Sequence, residues 1–112
     1  MSILVSKPQP DITVIEPTER LDSTAAPRLE AAVKDALSGG GSIVVDLART
    51  PYIASMALRA LLLAAKGTAA KGTRFAVATD DARILQVLQV AGFTSVMTIV
   101  KDRQAALALL RQ

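Results

Sequence analysis

The chain of 112 residues contains neither histidine nor cysteine, so any chemistry it performs rests on hydroxyls, carboxylates and amines. That excludes disulfides, Cys/His zinc sites, iron–sulfur ligation and Ser-His-Asp or Cys-His nucleophile activation. The informative stretch runs from Ser42-Ile43-Val44-Val45-Asp46-Leu47 to Ala54-Ser55-Met56-Ala57-Leu58. An apolar run of strand type ends, residues 48–53 form a loop, and a serine stands where a helical pattern begins. Ligand contacts in α/β sheets concentrate beyond the carboxyl ends of strands, where loops are free of packing duty. Ser55 has two uses open to it. As an N-cap, its hydroxyl accepts a backbone N–H and contributes about 1 kcal/mol, the use that local chemistry favours. As a phosphoacceptor, it places new negative charge at a helix amino terminus, where unpaired N–H groups and roughly half a positive charge stabilise it. Asp46, at a strand end, is read as an acceptor for loop amides rather than as a catalytic group. An enzyme is the weakest reading, because Ser55, Asp22 and Asp46 would act unaided and no lysine stands at a spacing that activates Ser55. A binding or regulatory domain without cofactor or metal is expected.

Other constellations carry less. Gly39-Gly40-Gly41 is not followed by the Lys-Ser/Thr of a phosphate-binding loop and is read as a flexible turn. Gly67, Gly72 and Gly92 are too dispersed for a dinucleotide fingerprint. Asp80-Asp81 is read as a helix cap in preference to a metal site. Lys101, Arg103 and Arg111 are read as a solvated helix face. Thirteen basic against ten acidic residues leave a net charge of only +3, and Tyr52, Phe75 and Phe93 are the only aromatics. Neither an electrostatic footprint nor a base-stacking platform for nucleic acid results. Residues 1–7 lack a signal-peptide pattern, and the longest apolar-rich stretch, residues 53–65, is broken by Ser55 and Arg59. It falls short of the roughly 18–20 residues of a membrane span, so a cytoplasmic protein without membrane insertion is expected.

The elements that position these residues alternate between strand and helix patterns. Ile3-Leu4-Val5 and Ile12-Thr13-Val14-Ile15 flank Lys7-Pro8-Gln9-Pro10-Asp11, which predicts a hairpin. Asp22-Ser23-Thr24 ahead of Pro27 predicts a capped helix start, with Leu29, Ala32, Val33, Ala36 and Leu37 on the inner face. The second helix is expected to bury Leu58, Leu61, Leu62 and Ala65, leaving Met56, Arg59, Leu63 and Lys66 outside or on its flanks. Arg74-Phe75-Ala76-Val77-Ala78 reads as a buried strand. A helix capped by Asp80 or Asp81 then carries Ile84, Val87, Leu88 and Ala91 to a stop at Gly92. A strand over residues 96–100 and a helix capped by Asp102 and carrying Leu107 and Leu110 complete the chain. Such alternation implies one compact α/β domain over residues 1–112, with a mixed, largely parallel sheet and about four helices.

The order of these elements resembles the STAS family, whose simplest members are bacterial anti-sigma factor antagonists. The landmarks are Arg20-Leu21-Asp22, Ile43-Val44-Val45-Asp46-Leu47, Tyr52-Ile53-Ala54-Ser55-Met56-Ala57-Leu58 and Ala91-Gly92-Phe93. The resemblance implies a partner switch. The unmodified antagonist binds an anti-sigma factor that is also a GHKL-type serine kinase, phosphorylation at the start of the second helix ends that binding, and a serine phosphatase restores it. The family core, roughly Asp-Ser-Ser/Thr-Gly-Leu, aligns its first serine with Ser55, and Asp22 matches an acidic position in the loop before the first helix.

Three positions depart from that core: Ala54 replaces the aspartate, Met56 the second hydroxyl and Ala57 the glycine. From the resemblance and the outer face of the second helix, partner contacts are expected from Asp22, Ala54, Met56, Ala57, Arg59 and Leu63 around the phosphoacceptor Ser55. The same departures motivate an alternative, a phosphorylation-independent STAS adaptor or scaffold subunit, for example in a transporter-associated complex.

Overall fold

Pro10 and Asp11 turn the chain back on itself, pairing β1 (Ile3–Gln9) antiparallel with β2 (Ile12–Pro17). The structure, a computed structural model, describes residues 3–111. Beyond the hairpin, strand and helix alternate: α1 (Ala26–Gly39), β3 (Ser42–Asp46), α2 (Ser55–Ala70), β4 (Phe75–Ala78), α3 (Ala82–Val90), a 3-10 turn at Phe93–Ser95, β5 (Thr98–Val100) and α4 (Arg103–Leu110). The strands lie in space in their chain order, and every pairing after the hairpin is parallel. This is the mixed, largely parallel sheet with an amino-terminal hairpin and four helices that the patterning predicts.

Strand residues alternate between two apolar layers. Ile15, Ile43, Val45, Leu47, Phe75 and Val77 face α1, α2 and α3, where they meet Leu29, Val33, Leu61, Ile84 and Leu88. Ile12, Val14, Val44 and Ala76 face the other way, onto Ala106 and Leu110 of α4. Cover on both faces explains why β3 and β4 read as continuous apolar runs rather than as alternating ones.

Three expectations shift, two in helices and one in a strand. In α2 the buried stripe is Ala57, Ala60, Leu61, Ala64 and Thr68, while Leu58, Leu62 and Ala65 are half-buried on its flanks. Small residues let α2 press closely: a Cβ on Gly67 would lie 2.6 Å from the Leu37 side chain of α1. In α3, Ile84 and Leu88 are buried, but Val87 and Ala91 are exposed. The last strand is shorter than expected, because the amides of Val96 and Met97 bond the Phe93 carbonyl instead of a neighbouring strand.

Nor is the glycine triplet merely a flexible turn. Gly40 adopts φ 86° and donates to the Leu37 carbonyl, closing α1, while a Cβ on Gly41 would stand 2.4 Å from the Asp11 carbonyl oxygen. At the outer edge of the sheet, β1 carries exposed Lys7 and Pro8, and its register with β2 shifts between Ser6 and Gln9.

Candidate functional site

Because β2 to β5 run parallel and each is followed by a helix, all four helices begin at one rim of the sheet. Two loops there, residues 18–25 before α1 and residues 47–54 before α2, are joined by a small parallel bridge between Leu21 and Ile53. The Leu21 amide donates to the Tyr52 carbonyl and the Ala54 amide to the Leu21 carbonyl, both at 2.8 Å. Outside the bridge, the Arg20 guanidinium lies 4.4 Å from the centre of the Tyr52 ring, a cation–π contact. Inside it, the buried Thr50 hydroxyl donates to the Pro17 carbonyl at 3.1 Å. The bridge and the cation–π contact thus hold the two loops together, and Thr50 ties the second loop to the end of β2.

Ser55 is exposed at the first position of α2. The expectation that its hydroxyl caps the helix is not met. The N-cap is Ala54, in an extended conformation with φ −89° and ψ 164°, and α2 has no side-chain cap. The bridge to Leu21 fixes Ala54 as the last extended residue, and its carbonyl accepts the amides of Ala57 and Leu58. Ser55 therefore lies one residue too late to cap, which leaves its hydroxyl free for another partner.

Asp22 follows Leu21 directly and is half-buried. Its carboxylate accepts the amides of Thr24 at 3.0 Å and Ala25 at 2.9 Å, so it holds the turn ahead of α1, whereas the N-cap itself is Ala25. Met56, 46% exposed, and Arg59 line a shallow groove of about 390 Å³ with Pro27, Glu30 and Lys34 of α1. The Lys34–Glu30 pair, 3.2 Å apart along one face of α1, borders it.

Two of the expected contact residues lie elsewhere. Ala57 is fully buried against the sheet, so the Cβ that replaces the family's glycine faces the core and not a visitor. Leu63 is half-buried against the same core, about 12 Å along the helix from Ser55 at 1.5 Å per residue. On the far side of α2, Leu58, Val87 and Val90 line an open apolar hollow, with Val90 82% exposed. The even 3.6-residue pattern of α3 hides it, since Val87 and Ala91 read as core.

Arg103, read from the sequence as solvated, lies instead beneath the rim. Its Nε donates to Asp46 Oδ2 at 2.8 Å, and a terminal nitrogen stands 2.9 Å from Glu16 Oε1. Burial works against the guanidinium's charge, but the hydrogen bond and charge of Asp46, with Glu16 behind, outweigh it and raise the Arg103 pKa above the ordinary arginine value. Asp46 does accept a loop amide, that of Ala48 at 3.0 Å. No signal in the sequence joins Arg103 to strands so far upstream.

Among the described residues no cluster of three or more metal-ligating side chains occurs, and no helix is long and apolar enough to cross a membrane. What the rim offers is an accessible hydroxyl, an adaptable thioether and exposed guanidinium groups on a braced backbone.

Comparison with known proteins agrees with this architecture. The chain is 29% identical over 92 residues to the "Putative anti-sigma factor antagonist BtrV" of Bordetella bronchiseptica, covering 81% of this chain and 79% of that one. An anti-sigma-factor antagonist (STAS) domain protein from Planctomyces limnophilus superposes over the full length of both chains, with a TM-score of 0.89 and 22% identity. The Bacillus cell fate determinant SpoIIAA in its phosphorylated form shares the fold at TM-score 0.75 and 17% identity, over 96% of this chain and 99% of that one. A sulfate transporter family protein from Wolinella succinogenes does so at 0.78 and 17%, over 96% and 88%. The STAS domain model matches residues 4–106, and the chain belongs to the STAS domain family.

Proposed function

We propose that this chain is an anti-sigma factor antagonist whose rim around Ser55 docks an anti-sigma factor that is itself a GHKL-type serine kinase. The observation that carries this reading is the exposed Ser55 hydroxyl, unspent on the helix it begins. The chain is the substrate and not the catalyst. The kinase supplies ATP, Mg²⁺ and the base that accepts the hydroxyl proton; the γ-phosphoryl bond to ADP breaks as the bond to Ser55 Oγ forms. The product carries about −1.5 to −2 charge and three acceptor oxygens at an uncapped helix start, which tolerates that charge within the free domain. At an interface the same charge meets Asp22 and any acidic partner groups and must be desolvated, so the partner leaves. A serine phosphatase resets the switch. Incubation with GHKL serine kinases and ATP, read by mass spectrometry, should place one phosphate on Ser55 and none on Ser55→Ala. Ser55→Asp should weaken kinase binding at least tenfold with an unchanged circular dichroism spectrum; modification elsewhere, or equal affinity, refutes the switch.

A second reading draws on Ala54 and Met56 at positions where the family core carries aspartate and a hydroxyl, and on the likeness to a sulfate transporter family protein. In it the same rim binds constitutively, as an adaptor or scaffold. Pull-down of a transporter ATPase whose affinity is unchanged by Ser55→Asp would favour it over the switch.

A further inference from the structure

Glu16 and Asp46 occupy neighbouring positions at the ends of β2 and β3, one step beyond the Ile15–Val45 pairing. Both point to the α4 face, and both side chains are largely withdrawn from water, 15% and 6% exposed. Two carboxylates side by side in such a place repel each other and need a shared cation. The Arg103 guanidinium supplies it with two of its nitrogens, a geometry that a point-charge ammonium does not reproduce.

Each carboxylate stands where its strand passes into one of the two rim loops. Glu16 is one residue from the end of β2, which feeds loop 18–25 with Leu21 and Asp22; Asp46 ends β3, which feeds loop 47–54 and Ser55. Asp46 is used twice, Oδ2 toward Arg103 and Oδ1 toward the Ala48 amide inside that second loop. Arg103 is in turn the first residue of α4, fixed by the Asp102 cap, by Ala106 and Leu110 in the lower apolar layer, and by Arg74 bonding the Leu109 carbonyl at 2.8 Å. We propose that Arg103 is the positioning residue of the Ser55 rim, setting from beneath the register in which Leu21 and Ile53 meet, so that α4 docking and presentation of Ser55 are one event. Calling that rim the docking surface rests on the functional reading above; the mechanical link does not.

Amide hydrogen exchange on the full chain tests it without a partner. In Arg103→Gln, the amides of Ala48, Leu21 and Ala54 should exchange at least tenfold faster, relative to those of Val45 and Val77, than in the unaltered protein. A uniform acceleration, or none, makes the ion pair a plain anchor for α4 and overturns the proposal. Should Arg103→Gln fail to fold, Glu16→Gln keeps the Asp46 bond and removes only one carboxylate charge. It should then release Leu21 more than Ala48, and equal or absent release refutes the link. Failure of the kinase-switch reading shows separately, as Ser55→Asp leaving the affinity for a GHKL serine kinase unchanged while the exchange pattern holds.

Discussion

α2 and α4 begin at the same rim, yet they use their first residues in opposite ways. At α4 the Asp102 carboxylate caps the Ala105 amide at 2.8 Å and Arg103 is committed to Asp46 and Glu16, so both polar groups serve the fold. α3 is built on the same plan, with Asp81 capping the Arg83 amide. At α2 the cap position holds Ala54, which has nothing to give, and the serine beside it gives nothing to the helix. The difference teaches that α2, like α1 with its Ala25 cap, begins without the side-chain cap that α3 and α4 carry, and that the start of α2 is held by the backbone bridge behind it.

The largest effect that could break this contrast concerns how α2 is held. If its inner face and not its cap secures it, Leu61→Ala should cost about 2–5 kcal/mol in urea unfolding, since Leu61 is fully buried. A loss well under that range would mean that α2 is fastened by its ends. Next come the caps themselves. Asp102→Ala should lose about 1 kcal/mol, whereas Ala54→Asp should gain about 1 kcal/mol by supplying the missing acceptor; no gain would mean that the α2 start is already satisfied. A smaller, pH-dependent effect separates α3. The hydrogen bond from the Arg83 side chain, then that from its backbone amide, holds Asp81 below its ordinary value of 3.8. A lowered pKa means that this stabilisation is complete above 3.8 and disappears as pH falls through the lowered value. The stability difference between the natural protein and Asp81→Asn, followed by thermal unfolding, should therefore narrow below pH 3.8, and a widening would refute the assignment. Smallest of all, Met56→Ala should change stability by less than about 0.5 kcal/mol, because its side chain rests on the surface.

The order of strands and helices is legible in the sequence because each element repeats its own period and is punctuated by Pro27, Gly40, Asp81, Gly92 or Asp102. Face assignments are less so. In α2 the eye follows leucines, but the sheet selects Ala57, Ala60 and Ala64, because close approach rewards small side chains. Ser55 stands out by its place after a strand, yet its hydroxyl's freedom does not, since one residue decides between capping and display. That residue is set by the Leu21–Ile53 bridge, a tertiary contact that local pattern does not encode. Arg103 misleads for the same reason: in sequence it looks like any helix-surface cation, and only the fold brings Glu16 and Asp46 beneath it.

The break in step between β1 and β2 has a bearing on company as well as on shape. With a proline that has no amide to offer and a lysine that resists losing water, the hairpin makes a poor template for another ribbon of peptide. Along that stretch of the border, joining a second chain edge to edge is disfavoured.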